Sequence, residues 1–582
     1  MKKLSVPFFF YFLLFLGGLL GAQTVSTNSE LNTAISNAVP GTTIILANGT
    51  WTDVQISIQK TGTMSNPITI QAQTPGSVFF EGKCYVKMGG AYIVFSGVVF
   101  QNPSNLSTGT PVIDFKASND CNNCTVTNIK IDAYNGTAAQ ETSVYKWILL
   151  RGANNEVSYS SFIGKNGVGS IINDNRSSTI ANYHKIHHNY FADRTPVGVV
   201  NDLNDQDAIR IGSSSTSLSD SFTEVYDNYF YNFVGEIEVI SNKSGSNKYY
   251  NNTFEDYSGA LTLRHGDNCE VYNNFFLANG QSFSGGIRMM GENHKVYNNY
   301  MEGTVAKYPN NSSTNGLAGI NIHNGILNSP LSGYYQVKNA TIVNNTFVNC
   351  DLGIRVGATF SSGTQNQPPQ DVVIGNNIMY ENTNKAIQVT TQLTGTSSKY
   401  ENNIKQNGTF DSFGAVTATG NINVTSGLLA TGTDFYRIVT GSAAIDYGVG
   451  SYSFLTEDII GGTRPANFDA GAEEFNAGGA RRPYKQSDVG VTIGFGGSGT
   501  LSVGYNTKLG NNLRIYPVPV TGDFLNLALE NLNLGQVQII DMLGRTVINS
   551  TINAPKGQIN INSLTNGTYI VKVQGVSKMI VK

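Results

Sequence analysis

Charge is scarce in this chain. Of its 582 residues only 13% are Asp, Glu, Lys or Arg, about half the share of an average soluble protein. The polar surface must come from Asn, Thr, Ser and Gly, and 63 glycines suit short strands joined by tight turns. The net charge of −3 gives no general attraction to a polyanion, so nucleic-acid binding is not expected and any anionic ligand needs a local basic cleft. Long apolar runs are missing too, except one. Residues 6–20 follow Met-Lys-Lys and end at Gly21-Ala22-Gln23, the pattern of a secretory signal peptide cleaved after Ala22. No later stretch is apolar enough to span a membrane, so the mature chain is expected to lack a transmembrane segment. Cysteine is sparse, at five. Cys121 and Cys124 have metal-ligand spacing, but no second such pair follows, which favours a local disulfide or buried thiols over a zinc site.

A chain this long needs more than one ordinary core unless it is a repeat protein. A repeat is present. The phrase of a polar residue, Asn and an aromatic or apolar ending recurs as His188-Asn-Tyr-Phe191, Asp227-Asn-Tyr-Phe230, Asn251-Asn-Thr-Phe254, Asn273-Asn-Phe-Phe276, Asn298-Asn-Tyr-Met301, Asn344-Asn-Thr-Phe347 and Asn376-Asn-Ile-Met379. Spacings are mostly about 22 to 30 residues, without helical periodicity, which predicts a right-handed parallel β-helix. The asparagines fit turn positions in left-handed backbone, stacked as an internal ladder.

A second set of strands aligns as Ile209-Arg-Ile211, Ile237-Glu-Val239, Leu261-Thr-Leu263, Ile287-Arg-Met289, Ile320-Asn-Ile322 and Ile354-Arg-Val356. With the apolar residues inward, Arg210, Glu238, Thr262, Arg288, Asn321 and Arg355 form one outward column. Rungs about 4.8 Å apart make that column the floor of a groove for an extended ligand. Arg210, Arg288 and Arg355 are its candidate contacts to an anion.

The fold class expected is therefore all-β: a right-handed parallel β-helix followed by a small antiparallel β-sandwich. Residues 29–38 form an amphipathic helix suited to capping the open end of a solenoid. The assigned boundaries are 1–22 for the signal peptide, 23–477 for the β-helix, with rungs continuing to about Phe475, 478–512 for a glycine-rich linker, and 513–582 for the sandwich.

The stretch from Gly235 to Gly266 concentrates the chemistry. Glu236 and Glu238 share a face, Lys243 follows, and Thr262 and Arg264 take the corresponding face one rung later. Carboxylates, a lysine and an arginine on one surface supply either a metal-assisted acid/base site or a salt-bridged sheet. The motifs Glu236-Ile-Glu238, Ser241-Asn-Lys-Ser-Gly245 and Leu261-Thr-Leu-Arg-His-Gly266, with His187-His-Asn-Tyr-Phe191 and Ile209-Arg-Ile-Gly212, resemble polysaccharide lyase family 6, the alginate lyase and chondroitinase B family. The resemblance covers nearly the whole β-helix. It implies Lys243 as catalytic base and Arg264 as catalytic acid, Asn204, Glu236 and Glu238 as ligands of Ca²⁺, and His265 and Arg288 lining substrate subsites. Where the family commonly has Asn-Gly-Gly-Glu, this chain has Asn204-Asp-Gln-Asp207, which puts the metal shell in question. The C-terminal sandwich resembles the sorting domain of the type IX secretion system, which implies that machinery as a partner and a secreted or cell-surface location.

The reaction implied is β-elimination on a uronate polymer, alginate first. A lysine serves as base only when neutral, so the reading requires positive charge near Lys243. A chondroitin or dermatan sulfate lyase is the alternative within the class. A non-catalytic glycan-binding solenoid would keep the groove without needing Lys243. A polygalacturonase would need an aspartate cluster that the column lacks.

Overall fold

The structure is a computed structural model that describes residues 22–495 other than 309, 310, 361 and 362. Of 513–582 it describes all but 517–519, 521, 530–532, 542–545, 566 and 574–575. Residues 1–21 of the expected signal peptide and residues 496–512 of the expected linker lie outside the described residues.

Three long parallel sheets, of 15, 14 and 14 strands, run the length of the first unit. Each coil of chain visits the first sheet, turns through two residues into the second, and crosses by a loop to the third. This is the expected parallel β-helix. The helix Asn28–Asn37 buries Leu31, Ala34 and Ile35 against the first coil. Thr27 caps it by accepting from the Glu30 N–H at 3.2 Å, which satisfies one orphan donor of the first turn, while the Glu30 carboxylate accepts from the N–H of the preceding Ser26 at 2.7 Å.

The repeated phrase divides its work between neighbours. Its first residue adopts left-handed backbone, with φ between 53° and 56° at His188, Asp227, Asn251, Asn273, Asn298, Asn344 and Asn376. Asn and Asp tolerate this region best. The second residue points inward and builds the ladder. Asn228 donates to Asn252 Oδ1 at 3.0 Å, Asn252 to Asn274 at 3.0 Å, Asn274 to Asn299 at 2.9 Å and Asn299 to Asn345 at 2.9 Å. Beside it Phe191, Phe230, Phe254 and Phe276 stack with centroids 4.5–4.7 Å apart. The turns of successive coils are thus locked in register by an amide stack and an aromatic stack.

Two details differ from the sequence reading. The coils end at Ile422–Asn423, before Phe475. Residues 428–472 instead fold back along the second sheet, where Phe435, Ile438, Ile459 and Ala470 pack on Phe275, Tyr300 and Ile404. Residues 483–495 of the expected linker also dock on the β-helix: Val489 joins Tyr190 and Tyr229, and the Tyr484 hydroxyl donates to Asp227 at 3.0 Å. The cysteines follow the reading favoured by their spacing: Cys121 and Cys124 form a disulfide, while Cys84, Cys269 and Cys350 are buried free thiols.

The second unit, which takes in residues 501–582, holds two antiparallel sheets around one apolar core. Leu513–Tyr516, Phe524–Leu529 and Lys556–Asn560 form one; Gly535–Asp541, Thr546–Ile552, Thr568–Val573 and Val576–Val581 form the other. Leu525, Leu527, Val537, Ile539 and Val571 fill the space between them.

Candidate active site

The third sheet carries the groove, and its register corrects the column. Arg210 pairs with Ser241, Ser241 with Thr262, Thr262 with Arg288, Arg288 with Asn321, and Asn321 with Arg355. Glu238 is not on that line; it sits opposite Ala260 at the start of the strand Glu238–Lys243. The alternation Ile237-Glu-Val239 imitates a rung, but the inward positions belong to Ile240 and Asn242. Asn242 is fully buried and earns that place by donating to the Ser244 and His265 carbonyls at 2.9 and 2.8 Å.

Two bulges bracket the chemistry. Against Gly259–His265, Val239 is the extra residue at one end and Arg264 the extra residue at the other, so that Lys243 faces His265 in register. A bulge bends the strand and re-aims a side chain. Lys243 ends its strand half-buried, beside Gly212, whose added Cβ would stand 2.8 Å from the Lys243 carbonyl. Among the described residues Lys243 makes no side-chain hydrogen bond or ion pair.

Arg264 is held firmly. Its guanidinium donates to the Gly333 carbonyl at 2.6 Å and the Ser332 carbonyl at 3.1 Å, and lies over the Tyr334 ring at 4.1 Å. Burial, with repulsion from Arg288, outweighs Tyr334 and Glu238 and holds its pKa below the usual arginine range. His265 is buried, and burial followed by Arg264 and Lys243 pushes it down to about 3; it is a neutral imidazole.

Arg288 is buried, donating to Glu238 at 3.2 Å and to His323 at 3.4 Å, with its guanidinium 4.9 Å from the Phe360 ring centre. His323 stacks on Phe360 at 5.0 Å, and burial among Arg288, Arg355 and Arg264 keeps it neutral. Arg355 donates to Gln388 at 2.9 Å, and burial lowers it to about 10. Tyr334, Phe360 and His323 carry no motif. Tyr334 and Phe360 stand on loops that topology brings to the groove, and His323 ends the strand Ile320–His323 one residue past the alternating rung, which is why sequence reasoning missed them.

The acidic side of the groove is crowded. Arg210 is clasped by Asp207 and Asp205, both at 2.5 Å, and lies 4.0 Å from Glu236. Burial works to lower Arg210, but Asp207 and Asp205 overcome it and raise its pKa. Burial, then Asp207 and Glu238, push Glu236 up to about 8. Asp207 Oδ1 is buried without a partner. Oxygen donors with surplus negative charge fit a hard cation such as Ca²⁺ in kind. Asn204, however, is exposed on the preceding bend, and no three His, Cys, Asp or Glu side chains among the described residues are grouped to hold a metal.

The family model for chondroitinase B matches residues 25–438. The chain belongs to that family, polysaccharide lyase family 6. Among solved family 6 structures, the alginate lyase AlyGC is 30% identical over 75% of this chain and 60% of its own, with a TM-score of 0.65. A mannuronic acid specific family 6 lyase from human gut microbiota is 25% identical over 70% of this chain and 92% of its own, with a TM-score of 0.57. A family 6 lyase from Pseudopedobacter saltans shares the fold, at 24% identity over 81% of this chain and 99% of its own and a TM-score of 0.59. The chain spans about three fifths of the length of AlyGC. No curated protein sequence matches it. Residues 514–582 match the secretion system C-terminal sorting domain, and no helix among the described residues is long and apolar enough to cross a membrane.

Proposed function

We propose that the protein is an exported lyase that cleaves a uronate polymer, alginate, by β-elimination. The observation that carries the reading is an unengaged Lys243 set opposite His265, next to a fixed, bulge-directed Arg264, on the sheet that floors the groove. A neutral Lys243 takes the proton from C5 of the uronate. The electron pair left behind forms the C4–C5 double bond as the C4–O bond breaks. Arg264 stabilises the departing oxygen, which leaves with a proton from the guanidinium or from water held by it. Neutral His265 lies next to both without adding a third positive charge. Arg264 and Arg355, with Arg288 beside them, supply the positive end of the groove that a chain of net charge −3 otherwise lacks, while Arg210 is matched by Asp205 and Asp207.

Glu236, Glu238 and Asn204 would hold Ca²⁺, with Asp207 offering its unpartnered oxygen. The bound ion would neutralise the uronate carboxylate and make C5–H more acidic. The C-terminal unit is read as the address for type IX export, leaving the enzyme secreted or on the cell surface.

The test is ultraviolet absorbance of the unsaturated product, using residues 23–582 on alginate and on dermatan sulfate. A rise on alginate, abolished by Lys243→Ala, is expected. A rise on dermatan sulfate alone keeps the mechanism and changes the substrate, a reading the chondroitinase B match keeps in view. Polymer bound without any rise overturns the lyase reading.

A further inference from the structure

Most coils enter the first sheet through a residue in left-handed backbone, two positions before the strand. Asparagine takes this place at Asn123, Asn154, Asn268, Asn293 and Asn339. Ser246 and Asp371 take it in two others, and Tyr92 stands in register with Asn123 in an early coil. Two consecutive coils place exposed aromatics there: Tyr183 has φ 52° and Phe222 has φ 53°. Bulky side chains pay steric strain in this region that asparagine largely avoids, and such strain persists where the surroundings or a function require it.

These two rings gain little burial in return. Tyr183 is 50% exposed and Phe222 41%, and they stack on each other with centroids 5.2 Å apart and planes within 7°. Their neighbours in the column are the small Asn154 and Ser246, so the outer face of each ring is left open. Ile180 and Leu218, from the same two loops, add 74% and 61% exposed apolar surface. Arg176 ties the loops together by donating to the carbonyls of Ile180, Ser219 and Asp220. The patch is therefore fixed, apolar and aromatic on a surface otherwise supplied by small polar residues.

The two loops leave the strands Ile172–Asp174 and Ile209–Gly212, the second of which pairs with the strand ending at Lys243. They belong to the same wall of the groove as the loop of Ser332–Tyr334 that holds Arg264. We infer that Tyr183 and Phe222 form a secondary binding site for the polysaccharide, outside the groove, in which the apolar face of a pyranose ring stacks on an open aromatic face. The site rests on the polysaccharide lyase reading. Its purpose is to retain a long polymer beside the groove between cleavage events.

The substitution Tyr183→Asn with Phe222→Asn removes the rings and restores the residue used in neighbouring coils, so the fold is expected to be kept or stabilised. The experiment measures alginate binding by affinity electrophoresis, turnover on polymer and on an alginate trisaccharide, and oligomeric state by light scattering. The double variant should bind polymer about fivefold more weakly and show a raised KM on polymer, with trisaccharide turnover and oligomeric state unchanged. Wild type that cleaves alginate beside a variant of equal polymer affinity overturns this inference alone. Unchanged affinity with loss of self-association assigns the patch to a second copy of the chain and also overturns it. Wild type that neither binds nor cleaves a uronate polymer overturns the functional reading as well.

Discussion

At the scale of single residues, the site depends on groups that hold others in place. Arg264 is the extra residue of a bulge, so its direction is set by the Ser332 and Gly333 carbonyls and the Tyr334 ring rather than by the sheet. Removing the ring removes a cation–π contact of about 1 kcal/mol and one wall of the guanidinium pocket. Tyr334→Ala is expected to lower kcat on alginate about tenfold with little change in KM, whereas Tyr334→Phe, which keeps the ring, should retain most turnover. Equal losses in both variants would show that the hydroxyl matters instead.

A second pair acts on stability. Asp174 and His184 are fully buried, 3.6 Å apart, and both Asp174 oxygens are otherwise unpartnered. Burial pushes Asp174 up to about 7 and His184 down to about 3. The raised acid favours folding below about 3.8 and loses that advantage as pH rises through 7; the depressed base favours folding above about 6.5 and loses it as pH falls toward 3. Near pH 5 the folded pair therefore holds one proton, on Asp174, and the unfolded pair also holds one, on His184. The two dependences cancel. Asp174→Asn removes one side of the balance, so the variant should lose stability steadily from pH 6.5 downward relative to wild type, by on the order of 4 kcal/mol near pH 3. Denaturant melts across that window check it, and parallel curves would refute the cancellation.

At the scale of elements, the coil is set by a two-residue turn whose first member bends the backbone and whose second builds the ladder. Asn274 accepts from the Asn252 backbone and side chain and donates to Asn299 and two carbonyls. Asn274→Ala strands several buried groups and should cost about 3 kcal/mol or more, while Asn421→Ala, at the partly exposed end of the same ladder, should cost about 1 kcal/mol. Equal losses, read by thermal unfolding, would deny the ladder its cooperative role. This turn was legible in the sequence because its period and chemistry repeat. The rung around Lys243 was legible in content but not in register: Asn242 faces inward where hydrophobic alternation predicts an apolar residue, and two bulges break the alternation. Tyr334 and Phe360 were illegible for another reason. They reach the arginines from loops whose course the local pattern does not encode.

At the scale of the molecule, each unit closes its own core, and the candidate site lies wholly in the first. The glycine-rich composition after residue 477 predicts a linker, yet residues 483–495 complete the second sheet's outer surface. Val489 covers Tyr190 and Tyr229, the Gly490 N–H reaches the His188 carbonyl at 2.8 Å, the Val491 N–H reaches Ser161 at 3.0 Å, and Tyr484 bonds Asp227 and Thr253. Because a solenoid coil contacts only its neighbours, losing this strap should loosen the coils beneath it without unfolding the rest. Residues 23–495 are expected to keep the turnover of the longer chain. Residues 23–477 should show faster hydrogen exchange at 159–163, 188–194 and 227–233 and a lower unfolding midpoint, with the strands around Asn345 still protected. Those coils support the strand leading to Lys243, so a drop in turnover that tracks the lost protection would couple the strap to the groove. Identical exchange in the two truncations would return residues 483–495 to the status of a linker.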